Sequence, residues 1–242
     1  NSDDYNLVIN LSSTGAGATQ VGSTSIDIDA EHGIETTTCS PGTWQGQTGS
    51  TSCNQASPGH YVYATGATSQ NACTPGYYQP NSGQTSCIIA SSGYFVAYPA
   101  STSQTAAGPG HYVNGTGATA QTACTVGTYQ PSSAQTTCFA ASPGYYVPVT
   151  GQANQTICNG GTYQPNSGQR ECMNADPGHY VPNQGATNQT QCSIGTFQPL
   201  SGQWSCQNAE PGHYVDDVGA ISQTPCSVGE YQPSSGQTSC LT

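Results

Sequence analysis

A chain of 242 residues with one Arg, no Lys and a formal net charge of −11 lacks the basic footprint that nucleic acid or an anionic membrane surface demands. Leu, Ile, Val and Phe together number only 28, too few for an ordinary packed interior. Charged residues are 5% of the chain, too few for a strongly charged disordered one. There is no run of about 18 apolar residues, so no transmembrane helix and no membrane insertion are expected. Gly, Ser, Thr, Asn, Gln and Pro dominate instead, as in turns and short extended pieces. A first residue that is not Met suggests a removed leader. Twelve regularly spaced cysteines suggest an oxidising, extracellular compartment.

Residues 1–38 hold no cysteine and six of the twelve acidic residues. Tyr5, Leu7, Ile9 and Leu11 alternate with Asn6, Val8 and Asn10, which predicts a strand. Ser12 to Ser23 is Gly-, Ser- and Thr-rich and is expected to be a loop. Ser25 to Ala30 alternates again and predicts a second strand. This β segment either caps the first repeat of its own chain or is a strand donated to a neighbouring subunit. Asp27, Asp29 and Glu31 have oxygen ligands that suit calcium, but alternate acids on a strand also describe an ordinary wet face. No metal site is assigned.

From residue 39 to 242 a glycine recurs every 17 residues, twelve times, from Gly42 to Gly229. These define units 1 to 12. An aromatic lies two places after each: Trp44, Tyr61, Tyr78, Phe95, Tyr112, Tyr129, Tyr146, Tyr163, Tyr180, Phe197, Tyr214 and Tyr231. Such a period marks a stacked repeat array, in which no single unit can bury its own apolar group. The aromatics are accordingly expected to stack on those of adjacent units as a spine.

Units come in two kinds. Six carry cysteines three residues before the glycine and eleven after it: Cys39/Cys53, Cys73/Cys87, Cys124/Cys138, Cys158/Cys172, Cys192/Cys206 and Cys226/Cys240. The other six have Ala and Gln at those two places, as in Ala56/Gln70 and Ala141/Gln155. No unit keeps one cysteine alone. Positions that change only together are most simply bonded to each other, so each pair is expected to form a disulfide in the order written. The rival pairing, Cys53 with Cys73 and onward, would strand Cys39 and Cys240. Zinc is a poor alternative, because the Cys-x-x-Cys spacing is absent. Closing a loop of about 15 residues is worth roughly 3 kcal/mol in the chain-entropy model. That helps offset the ordering entropy a thin core cannot.

Pro58-Gly59 and its equivalents fit a type II turn, with Pro setting φ and Gly supplying a positive φ. Two or three extended residues follow. A second Gly lies seven residues after the first in ten of twelve units, with Ala100 and Ala134 the exceptions. The two kinds alternate except at Gly93 and Gly110, where two cysteine-free units follow each other. Residues 88–123 therefore lack a disulfide and are expected to be the softest part. The fold class expected is small, disulfide-rich and all-β: an elongated, solenoid-like rod of twelve 17-residue units with short strands and tight turns.

The run Cys73-Thr-Pro-Gly-Tyr-Tyr-Gln-Pro-Asn-Ser-Gly-Gln-Thr-Ser-Cys87 resembles the ephrin-receptor-like cysteine-rich repeat. It is also similar to the first loop of tumour-necrosis-factor-receptor-type modules. The resemblance covers residues 39–242 and implies an extracellular, disulfide-stapled, elongated rod with little regular structure. The chain departs from it in the six units without cysteines, and no ligand-binding residue carries over.

No catalytic constellation or cofactor motif is legible, and the chain is not expected to be an enzyme. His60, His111, His179 and His213 fall at one repeat position, whereas a catalytic site is a single asymmetric event. Asn10, Asn114, Asn154 and Asn188 head Asn-x-Ser/Thr sequons and are candidate sugar sites. A Thr column suited to ice is broken by Ala153, Arg170, Trp204 and Ile221. The expected function is a secreted structural protein, a subunit of an extracellular fibre or surface appendage. It would self-associate head to tail as a homopolymer by a contact that does not close, its last unit being left uncapped two residues after Cys240. The alternative is a ligand-binding or adhesive ectodomain with the rod as spacer, residues 94–107 being the stretch where variation concentrates.

Overall fold

The repeat unit is built around its tight turn. In a computed structural model, which describes residues 25–28, 35–47 and 50–242, the His60 N–H donates to the Ser57 carbonyl at 2.9 Å across Pro58-Gly59. Gly59 has φ of +81°, the value a type II turn needs at its third residue. The same bond and glycine conformation recur around the other turn glycines. The second turn also needs positive φ, as at Gly66 (+72°). Ala100 (+54°) and Ala134 (+59°) hold that shape despite their side chains.

Each turn feeds a two-residue strand that pairs antiparallel with two residues just before the next unit. Tyr61 lies opposite Asn71 and His60 opposite Ala72. Eleven such hairpins follow one another, and the twelfth narrows to a bridge between Tyr231 and Leu241. Ahead of them β1 (Ser25–Ile28) pairs with β2 (Glu35–Thr38), Ser25 opposite Thr38. Strand β1 covers the first four residues of the expected second strand. Its partner was not expected, because Glu35-Thr-Thr-Thr does not alternate and only its β-branched threonines favour a strand. The first expected strand, the loop after it, Asp29 and Glu31 lie outside the described residues. Among the described residues there is no helix, and so none long and apolar enough to cross a membrane.

Three backbone hydrogen bonds join each unit to the next. At one junction the Gly59 N–H donates to Gln79 O (2.7 Å), the Val62 N–H to Gln84 O (2.9 Å) and the Gly83 N–H to Ala56 O (2.8 Å). The equivalents are present at every junction from Gly42 to Gln237. Contact also reaches two units on. A Cβ on Gly42 would overlap the Gly83 carbonyl, one on Gly59 that of Ala100, and so on to Gly195 against Gly236. Odd units thus touch odd units and even touch even, making two contact columns. The break in alternation at Gly93 and Gly110 shifts the disulfides from one column to the other. Cysteine-bearing units 1 and 3 lie in the odd column, and units 6, 8, 10 and 12 in the even one.

The core differs from the expected aromatic spine. Apart from Thr43, the buried side chains among the described residues are Cys or Ala three residues before the turn glycine, and Val or Gln three residues after it. Trp44, Tyr61, Tyr78, Phe95, Tyr112, Tyr129, Tyr146, Tyr163, Tyr180, Phe197 and Tyr214 are only half-buried, and Tyr231 is exposed. The two ring pairs among the described residues, Tyr61–Tyr63 at 6.3 Å and Tyr129–Phe139 at 6.0 Å, each hold only one residue of the supposed spine. Two causes act together. Adjacent side chains on a strand face opposite ways, so burying Val62 turns Tyr61 outward. The glycines also bring backbones into contact, leaving interior room for Ala, Cys, Val and the slender Gln but not for a phenol ring.

Candidate functional surface

The two kinds of unit close the same loop by different chemistry. The disulfides join Cys39–Cys53, Cys73–Cys87, Cys124–Cys138, Cys158–Cys172, Cys192–Cys206 and Cys226–Cys240, each 14 residues apart with Cα atoms 5.7–5.8 Å apart. No described cysteine is free. In the cysteine-free units the Gln at the second cysteine position reaches back across the loop. Its Oε1 accepts the backbone N–H next to the Ala that replaces the first cysteine. The donors are Ser57 for Gln70, Ser91 for Gln104, Gly108 for Gln121, Ser142 for Gln155, Asp176 for Gln189 and Glu210 for Gln223, at 2.7–2.8 Å. The Ala/Gln pair is therefore a hydrogen-bonded brace where the other kind has a covalent one.

A third position changes with these two. Three residues after the turn glycine, cysteine-bearing units place Gln and cysteine-free units place Val. Gln130 is buried, its Nε2 donating to Thr137 O at 2.7 Å and its Oε1 accepting from the Ser132 N–H at 3.1 Å. Gln79, Gln164, Gln198 and Gln232 repeat both bonds. The signal lay in the sequence: His-Tyr-Val and Thr-Tyr-Gln segregate with the absence or presence of cysteine.

Both columns expose large apolar side chains. The even column exposes Tyr63, Tyr98, Phe139, Met173, Trp204 and Tyr231. Its units are continuous there: Val126 of unit 6 and Met173 of unit 8 line one cleft of about 310 Å³, which also holds Arg170. Arg170 lies 3.6 Å from Glu171, both mostly exposed, a pair contributing little to stability. The odd column exposes Tyr77, Ile88, Ile89, Val149, Val218 and Ile221 and also carries Asp176, Glu210, Asp216 and Asp217. A cleft of about 460 Å³ in unit 11 is lined by Asp216, Asp217, Val218 and Ile221.

The candidate site residues do not converge. His60, His111, His179 and His213 are half-buried, and each ring Nδ1 donates to the Pro carbonyl two residues back at 3.2–3.4 Å. Among the described residues no three His, Cys, Asp or Glu side chains gather as a metal site would require. Residues 94–107 form a hairpin like the rest, Tyr94-Phe95 against Thr105-Ala106. Asn114, Asn154 and Asn188 are exposed, while Asn10 lies outside the described residues.

Residues 144–192 match the family model described as "Tyrosine-protein kinase ephrin type A/B receptor-like". The matched span begins at the unit 7 turn and includes the Cys158–Cys172 disulfide. The repeated disulfide pairs fit cysteine-rich ephrin-receptor-like repeats. No curated protein matches the chain. Together the disulfides and the family match suggest an extracellular cysteine-rich ectodomain.

Proposed function

We propose that this array is an extracellular structural element, without catalytic activity, that builds a fibre or surface appendage from copies of itself stacked head to tail. The observation that supports this is the uniformity of the junctions. The same three backbone bonds and the same glycine contact serve both kinds of unit, whatever their side chains. A surface that recognises any unit of its own chain is complementary to the same unit in another, and a heterologous contact of this kind propagates. Negative-stain imaging and light scattering of the purified chain test it. Rods whose length grows with protein concentration are expected, and monomers alone across salt and calcium conditions overturn it.

A second reading, an adhesive ectodomain that uses the array as a spacer, is favoured by the unit 11 cleft. There Asp216-Asp217-Val218 replaces the uncharged residues found at these places in other units. Binding of the chain to cell-surface material, lost in Asp216→Asn/Asp217→Asn with rod length unchanged, would select it.

A further inference from the structure

We propose that Asn114, Asn154 and Asn188 carry N-linked oligosaccharides, sheathing the odd column of units and leaving the even column bare. The inference rests on the extracellular setting proposed above. The column arrangement carries it. Asn114 belongs to unit 5, Asn154 to unit 7 and Asn188 to unit 9, three successive units of the odd column. Among the described residues, no Asn-x-Ser/Thr sequon lies in the even column.

The local geometry favours modification at each. In Asn154-Gln155-Thr156 the central Gln is the brace, turned inward to the Ser142 N–H at 2.7 Å. Asn154, in the bend before the strand Thr156–Ile157, and Thr156 at its start are both exposed. Asn188-Gln189-Thr190 repeats this, with Gln189 turned to the Asp176 N–H at 2.7 Å. Asn114, Gly115 and Thr116 are all exposed, and nothing lies within 4 Å of where a Gly115 side chain would begin. All three sites therefore present the acceptor amide and the Thr hydroxyl together.

The donor class is an oligosaccharide carried on a lipid-linked phosphate. The Asn amide nitrogen forms a bond to the anomeric carbon of the sugar. The bond from that carbon to the phosphate oxygen breaks, the lipid phosphate leaves with the bonding pair, and the amide gives up one proton. A glycan there is bulky and solubilising. With the odd column covered, the face holding Phe139, Met173, Trp204 and Tyr231 is the side left open for contact.

Peptide mass spectrometry of the chain secreted by its native host tests this, after reduction and chymotryptic digestion, since trypsin has a single site. A sugar mass on at least two of the three asparagines is expected. Thr116→Ala, Thr156→Ala and Thr190→Ala should each remove it at the edited site alone, leaving the braces intact. Fewer than two modified sites in a sample whose cysteines are all oxidised overturns the proposal. Bare asparagines together with reduced cysteines overturn the extracellular setting on which it rests.

Discussion

Units 8 and 9 are neighbours with the same turn, the same hairpin and the same junction bonds, yet one is closed by Cys158–Cys172 and the other by the Gln189 brace. The two closures act on different states. A disulfide works mainly by restricting the unfolded chain, whereas the Gln hydrogen bond exists only once the unit has folded. In the alternating stretches every braced unit has covalently closed neighbours. Residues 88–123 do not, and units 4 and 5 there rely on Gln104 and Gln121 alone. The array can be uniform in shape while differing in how firmly each part is held.

The largest expected effect strikes what both kinds share. Gly144→Ala and Gly161→Ala should each cost more than about 3 kcal/mol, because a Cβ at either would overlap a backbone carbonyl two units on, at positive φ. Gly229→Ala, with nothing within 4 Å, should cost only the roughly 1–2 kcal/mol of left-handed backbone. Equal urea midpoints for Gly144→Ala and Gly229→Ala would show that the contact within a column is not stabilising.

Next comes the closure itself. Cys124→Ala/Cys138→Ala should lose about 3 kcal/mol. The triple change Cys124→Ala/Cys138→Gln/Gln130→Val rebuilds a braced unit and should recover about 1 kcal/mol of that, one net hydrogen bond. If the two variants unfold together, the brace contributes nothing. A smaller effect follows from Gln155→Ala, which strands the Ser142 N–H and should cost about 1 kcal/mol, with faster exchange of that amide. In the unaltered chain, amide exchange through residues 88–123 should outpace that of residues 124–172, and equal protection removes the distinction between the regions. The smallest change is a gain. Ala134→Gly relieves a non-glycine residue at φ +59° but loosens the unfolded chain, for a net of about 0.5 kcal/mol.

The sequence by itself determined the period, the turns and the partner of every cysteine. These are local features, and twelve copies of one position within a single chain show which residues change together. Pro-Gly specifies its turn within four residues, and Cys39 and Cys53 are lost or kept as a pair in every other unit. The sequence also held the Val/Gln alternation beside the aromatic, but not its meaning. Only the tertiary structure decided that Val62 and Gln130 are core while Tyr61 and Tyr129 are not, that Gln70 stands in for half a disulfide, and that like-numbered units form columns. The reason is geometric. Which side of a two-residue strand faces inward depends on how the backbone winds from unit to unit. That winding is set by bonds such as Gly83 to Ala56 and by Gly42 meeting Gly83, contacts between residues too far apart for any local pattern to record. Where backbones meet that closely the small side chain goes inside, and ranking residues by apolar size alone points to the wrong one.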